Sequence, residues 1–142
     1  MKRLYKVTGN AEYCAPCAWS ALSGMSSDTW ADKPMMDFEE HSALDVLRFK
    51  HGAPWYVDDL PEHLIGIFLE AFEEQGRWAL TVESDGEHHA IAVACDGSNR
   101  EIADNRFRDP LPLETVIEQH EEYRTAVIKS GFQLVEDEPL SG

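Results

Sequence analysis

Near Gly76 the period of the apolar residues changes, and that change limits the fold more than any other feature of the chain. Before it, apolar residues recur at helical spacing. Ala15, Ala18, Trp19 and Leu22 form one stripe, Leu44 and Leu47 mark a second helix over 38–49, and Leu64, Ile65, Phe68, Leu69 and Phe72 mark a third over 60–72, with an N-cap at Asp58 or Asp59. After it the residues alternate. Trp78–Val82, His89–Val93 and Glu101–Ala103 read as strands, with Asp85-Gly86 and Asp96-Gly97 as their turns. Leu113–His120 reads as a late helix, and Tyr123–Ile128 and Phe132–Val135 as a last strand pair turning at Ser130-Gly131. Helices first and antiparallel strands second predict an α+β fold, because βαβ units would interleave the two.

The first helix begins at Cys14. Pro16 falls in its first turn, where a missing N–H costs nothing, and Gly24 suits its end. Ser26, Ser27 and Asp28 offer an N-cap to a brief helix through Trp30 and Ala31, and residues 3–8 read as an extended lead-in broken by Gly9-Asn10. At 142 residues and 43% hydrophobic, the chain suits a single domain, with 136–142 expected to fray.

Twelve basic residues against 27 acidic ones give a net charge of −15, spread along the chain. Such a surface repels phosphate backbones, so no nucleic-acid partner is expected, while a basic peptide or protein substrate is compatible with it. No run approaches the roughly 18 apolar residues of a membrane span, and a cytoplasmic protein with no membrane partner is expected. Three cysteines cannot all pair with one another, so at least one thiol is free.

A thiol attacks as thiolate, and its pKa falls when helix N-terminal N–H groups and an imidazolium face it. Cys14 meets the first condition by position, and the strand HHAIAVACD supplies a histidine for the second. Alternation puts His89 in phase with Ile91 and Val93, and His88 with Ala90, Ala92 and Ala94. If Asp96–Asn99 closes a hairpin, Cys95 faces Arg100, Val93 faces Ile102 and Ile91 faces Asp104. Asp104 then lies diagonally beside His89 on one face, while Asn105 points away. An acid there would fix the imidazole tautomer and stabilise its cation.

The segment YCAPCAWSALSG resembles the opening of the catalytic helix in bacteriocin-processing-type peptidases and other compact papain-like enzymes, with Cys14 on the nucleophile. HHAIAVACDG followed by IADN is similar to the histidine strand and acid of the same group. The two islands cover about a third of the chain. The resemblance implies a papain-like fold and a cysteine peptidase or amidase with a Cys14–His89–Asp104 triad, no metal and no cofactor. It departs at Ala15, which replaces a glycine, and in lacking the family's oxyanion glutamine. Asn10 is the nearest amide side chain and the candidate oxyanion donor beside the Cys14 backbone N–H.

Other chemistries use some of the same residues. Cys14-Ala-Pro-Cys17 at a helix start is also the spacing of a thiol-disulfide oxidoreductase, although that fold gives His89 and Asp104 no role. Cys14, Cys17, His88 and His89 make a poor zinc site, since adjacent strand histidines point to opposite faces. Cys17 and Cys95 read as buried small residues, and Arg100, Arg106 and Arg108 as a solvated face. A non-catalytic acidic binding protein is the third class consistent with the composition.

Overall fold

The computed structural model describes residues 3–31, 54–57, 63–71 and 76–134. The first helix, α1 (Cys14–Ser23), starts after an extended Tyr13 and stops at Gly24. Gly24 takes a left-handed φ of 77° and returns its N–H to the Ser20 carbonyl, a closure that suits a residue without Cβ. A single turn, α2 (Asp28–Ala31), follows at once.

Further along lie β1 (Pro54–Val57), β2 (His63–Leu64), α3 (Ile65–Ala71), β3 (Gly76–Ser84), β4 (Glu87–Asp96), β5 (Asn99–Ala103), β6 (Leu111–Pro112), α4 (Leu113–Gln119), α5 (Glu122–Thr125) and β7 (Val127–Leu134). The strands form one antiparallel sheet in the order β1-β7-β3-β4-β5-β6, with β2 paired to β7. The chain is thus α+β, a mixture of helices and antiparallel sheet.

The central β3–β4 hairpin turns on Asp85 and Gly86, whose φ values of 52° and 80° are the two positive angles that a type I′ turn demands. From that turn the register runs Val82↔His89, Leu80↔Ile91 and Trp78↔Val93. The β4–β5 hairpin pairs Asp96 with Asn99, so Gly97 and Ser98 form its two-residue loop, and Cys95 faces Arg100 while Val93 faces Ile102. Pairing between these strands ends at Ala92↔Ala103. The first residues of β4 therefore run on past β5.

The core lies in two layers, one on each sheet face. Ala79, Ala90, Ala92, Ala94 and Ala103 pack with Ala15, Ala18, Trp19 and Leu22 of α1 and with Trp30. Trp78, Leu80, Val82, Ile91, Val93 and Ile102 pack with Ile65 and Leu69 of α3, Leu113 and Val116 of α4, and Tyr123 of α5. Arg77 is buried and donates to the Leu22 carbonyl at the C-terminal end of α1, where a cation complements the helix dipole.

Two expectations are corrected. The helix expected from Leu60 begins at Ile65, because residues 63 and 64 give their backbone to β7 through His63↔Ile128 and Leu64↔Val127. The strand pair expected over Tyr123–Ile128 and Phe132–Val135 is one strand, Val127–Leu134, preceded by the helical turn Glu122–Thr125. Ser130-Gly131 does not turn, since β3 pairs with both residues across a register shift near Thr81. The helix expected over 38–49, Asp58 and Asp59, and the tail 136–142 lie outside the described residues. Among the described residues no helix is long and apolar enough to cross a membrane.

Candidate active site

The site forms where β4 outruns β5. Ala90 lies two residues beyond Ala92, the last β4 residue paired to β5, and its backbone N–H donates to the Cys14 thiol. The Ala15 backbone N–H at the head of α1 donates to the same sulfur, and so does the His89 side chain. Cys14 comes from the helix on the alanine face, whereas His89 is in phase with the opposite face. Their side chains meet at the end of the sheet.

Burial pushes the Cys14 thiol up, but the His89 hydrogen bond, the Ala90 N–H, the imidazolium charge and the Ala15 N–H outweigh it and leave the pKa below the usual thiol value. For His89, burial pulls the other way. The hydrogen bonds and charges of Asp104 and Cys14 overcome it and raise the imidazole to about 9. The two shifts have the signs that favour a thiolate beside an imidazolium.

Asp104 is fully buried and accepts from His89 Nε2 at 3.0 Å through Oδ2. It sits in the loop after β5, where backbone N–H groups of Arg106 and Phe107 close on Oδ1 at 2.7 and 3.1 Å. Burial alone would raise its pKa, yet the hydrogen bonds from His89, Tyr123, Arg106 and Phe107 hold it well below the usual carboxylate range. An ionised Asp104 is acceptor-only, so His89 Nε2 carries a proton and Nδ1 is the nitrogen left for the thiol.

Asn10 is exposed, and its hydrogen bonds run from its backbone N–H to both carboxylate oxygens of Asp28 at 3.2 and 3.1 Å. Cys17 is buried on α1 and donates its thiol to the Ala11 carbonyl at 3.4 Å, with burial raising its pKa. Cys95 lies in the second core layer, pushed up to about 11 by burial. His88 is exposed and pairs with Glu83 at 3.2 Å. No group of His, Cys, Asp and Glu among the described residues could hold a metal ion.

Two participants were not picked out as site residues from the sequence. The Tyr123 hydroxyl donates to Asp104 Oδ2 at 2.7 Å, and Arg106 Nη2 reaches the same oxygen at 3.1 Å while Nη1 pairs with Glu122. Arg106 stands only two residues past Asp104, a spacing at which a guanidinium can fold back on the carboxylate, so it had a signal. Tyr123 had none. A cleft of about 440 Å³ opens beside His89, bounded by Asn105, Arg106, Glu122 and the hairpin residues Asp85 and Glu87.

No protein-family model matches the chain, and no curated protein matches it in sequence. What the site can do follows from its own chemistry.

Proposed function

We propose that the chain is a cysteine hydrolase of the compact papain-like kind, a peptidase or amidase that works through Cys14, His89 and Asp104. The observation that carries this reading is the position of His89, bonded to a buried carboxylate on one side and to a thiol at a helix N-terminus on the other. A structural ion pair has no need of a thiol as its third member.

In this mechanism the Cys14 thiolate adds to the carbonyl carbon of an amide or ester. A C–S bond forms and the carbonyl π electrons move onto oxygen. The backbone N–H of Cys14, free of an intrahelical acceptor at the first helical position, donates to that oxyanion, with the Asn10 amide as second donor. His89 passes its Nδ1 proton to the leaving nitrogen or oxygen as the old bond breaks, which leaves a thioester on Cys14. Water then gives a proton to His89, attacks the thioester, and the thiolate departs with the product acid formed. Asp104 keeps the imidazole in one tautomer throughout. The net charge of −15 suits a basic peptide or protein substrate, and a cytoplasmic setting belongs to the same proposal.

Iodoacetamide labelling of the native protein at about pH 6, mapped by mass spectrometry, tests the nucleophile. Cys14 should label faster than free cysteine, and the advantage should vanish in His89→Ala. Labelling no faster than free cysteine, with every activity intact in Cys14→Ala, would establish the binding-protein reading instead. Reduction of insulin that requires both Cys14 and Cys17 would establish the thiol-disulfide oxidoreductase.

A further inference from the structure

Five hydrogen bonds converge on the Asp104 carboxylate, and they divide unequally between its oxygens. Oδ1 takes the two backbone N–H groups that fix the loop. Oδ2 takes three side chains, His89 at 3.0 Å, Arg106 at 3.1 Å and Tyr123 at 2.7 Å. Arg106 is 40% exposed and shared with Glu122, so solvent competes for it. Tyr123 is buried, its ring edge-on to Phe107 at 6.1 Å and to His120 at 6.4 Å, with the Arg106 guanidinium over its face at 5.6 Å. A short O–H bond to a desolvated carboxylate draws off a large share of that oxygen's charge.

We propose that Tyr123 is a positioning residue that sets how tightly His89 holds its proton, by competing for the Asp104 oxygen that His89 uses. With Tyr123 in place, less of the carboxylate charge is available to the imidazolium, which then gives up its Nδ1 proton more readily. A general acid works best when its pKa lies near the working pH, so this competition favours protonation of the leaving group. Only this last consequence rests on the hydrolase reading.

The charged groups around His89 are Asp104 and Arg106 from the loop after β5, Cys14 from α1, Glu87 and His88 from its own strand, Asp85 from the hairpin turn and Glu122 from α5. Those around Tyr123 are Asp104, Arg106, Glu122 and the ring of His120. A substitution at position 123 leaves all of them in place.

The test is a histidine titration by NMR on the full chain, with the His89 resonance assigned through His89→Gln. Tyr123→Phe removes the competing donor and should raise the His89 pKa by about half a unit or more. Site-specific 3-fluorotyrosine at position 123, a more acidic phenol and so a stronger donor, should lower it. The opposed signs separate competition for charge from a packing role, which would move both variants in the same direction or neither. Shifts of equal sign, or none, overturn the proposal. Should Tyr123→Phe not fold, the fluorinated protein decides alone, with a lowered His89 pKa in favour and an unchanged or raised one against. Because no substrate is present, this outcome is independent of the Cys14 labelling that tests the hydrolase reading.

Discussion

The two faces of the sheet are built from different side chains. Toward α1 the strands offer Ala79, Ala90, Ala92, Ala94 and Ala103, while the opposite face carries Trp78, Leu80, Val82, Ile91, Val93 and Ile102. Small residues let a helix approach the backbone, and Cys14 makes use of that approach, because its sulfur takes a hydrogen bond from a strand N–H at Ala90. Large residues fill the space beneath three helices, and that side supplies the buried Asp104 and Tyr123 that hold His89. One face thus governs reach and the other governs support, and the contact between Cys14 and His89 draws on both.

That division can be broken from either side. On the support face, Ile91→Ala should cost about 2–5 kcal/mol of unfolding free energy by emptying a fully buried site, measured by urea denaturation. The Cys14 labelling rate of its folded fraction should stay within twofold of the parent. On the reach face, Ala92→Leu should cost less, about 1–3 kcal/mol, from overpacking. It should nonetheless slow Cys14 labelling strongly, since a raised α1 takes the sulfur away from Ala90 and His89. A variant that kept the parent labelling rate would show that the alanines do not set the reach of Cys14.

The pH dependence of stability sharpens the same contrast. The folded pKa of His89, about 9, lies above its unfolded value of 6.5. Its contribution is therefore complete below the unfolded value and is lost as pH rises through about 9. Asp104 is shifted downward, so its contribution is present above the unfolded value of 3.8 and is lost as pH falls below it. Melting temperature should peak between these limits. In a Cys14→Ser background, where the thiolate's opposite titration is gone, the decline between pH 6.5 and about 9 should persist and should disappear on adding His89→Gln, leaving only the loss above 9 that the buried Cys17 and Cys95 thiols bring. A flat profile there would sink the His89–Asp104 coupling. The smallest effect belongs to His88→Ala, expected to stay within about 0.5 kcal/mol with Cys14 labelling unchanged, because its exposed pair with Glu83 is screened by solvent.

The hairpin register was legible in the sequence because period-two alternation and two-residue turns leave little freedom, and it carries His89 and Asp104 to one face. The start of α1 was legible from Pro16 and Gly24. Position 123 was not. Four residues make too short a helix to show a period, and the β-branched and aromatic run from Tyr123 to Ile128 favours a strand by local propensity. Nor was β7, since Ser130-Gly131 has turn chemistry and only the long pairing partner β3 keeps it extended. Residues 63 and 64 of the third expected helix went to β2 for the same reason, a backbone partner distant in sequence.

Cys14 is linked to Ala90, His89 and, through His89, to Asp104 and Tyr123, all of which follow it in the chain. Synthesis runs from the N-terminus, so the sulfur leaves the ribosome before every group that lowers its pKa. A nascent chain that ends before β4 lacks His89 and Ala90, and one that ends before α5 carries an Asp104 short of its phenol donor. On the proposed hydrolase reading, the nucleophile is synthesised first and its supporting groups arrive last.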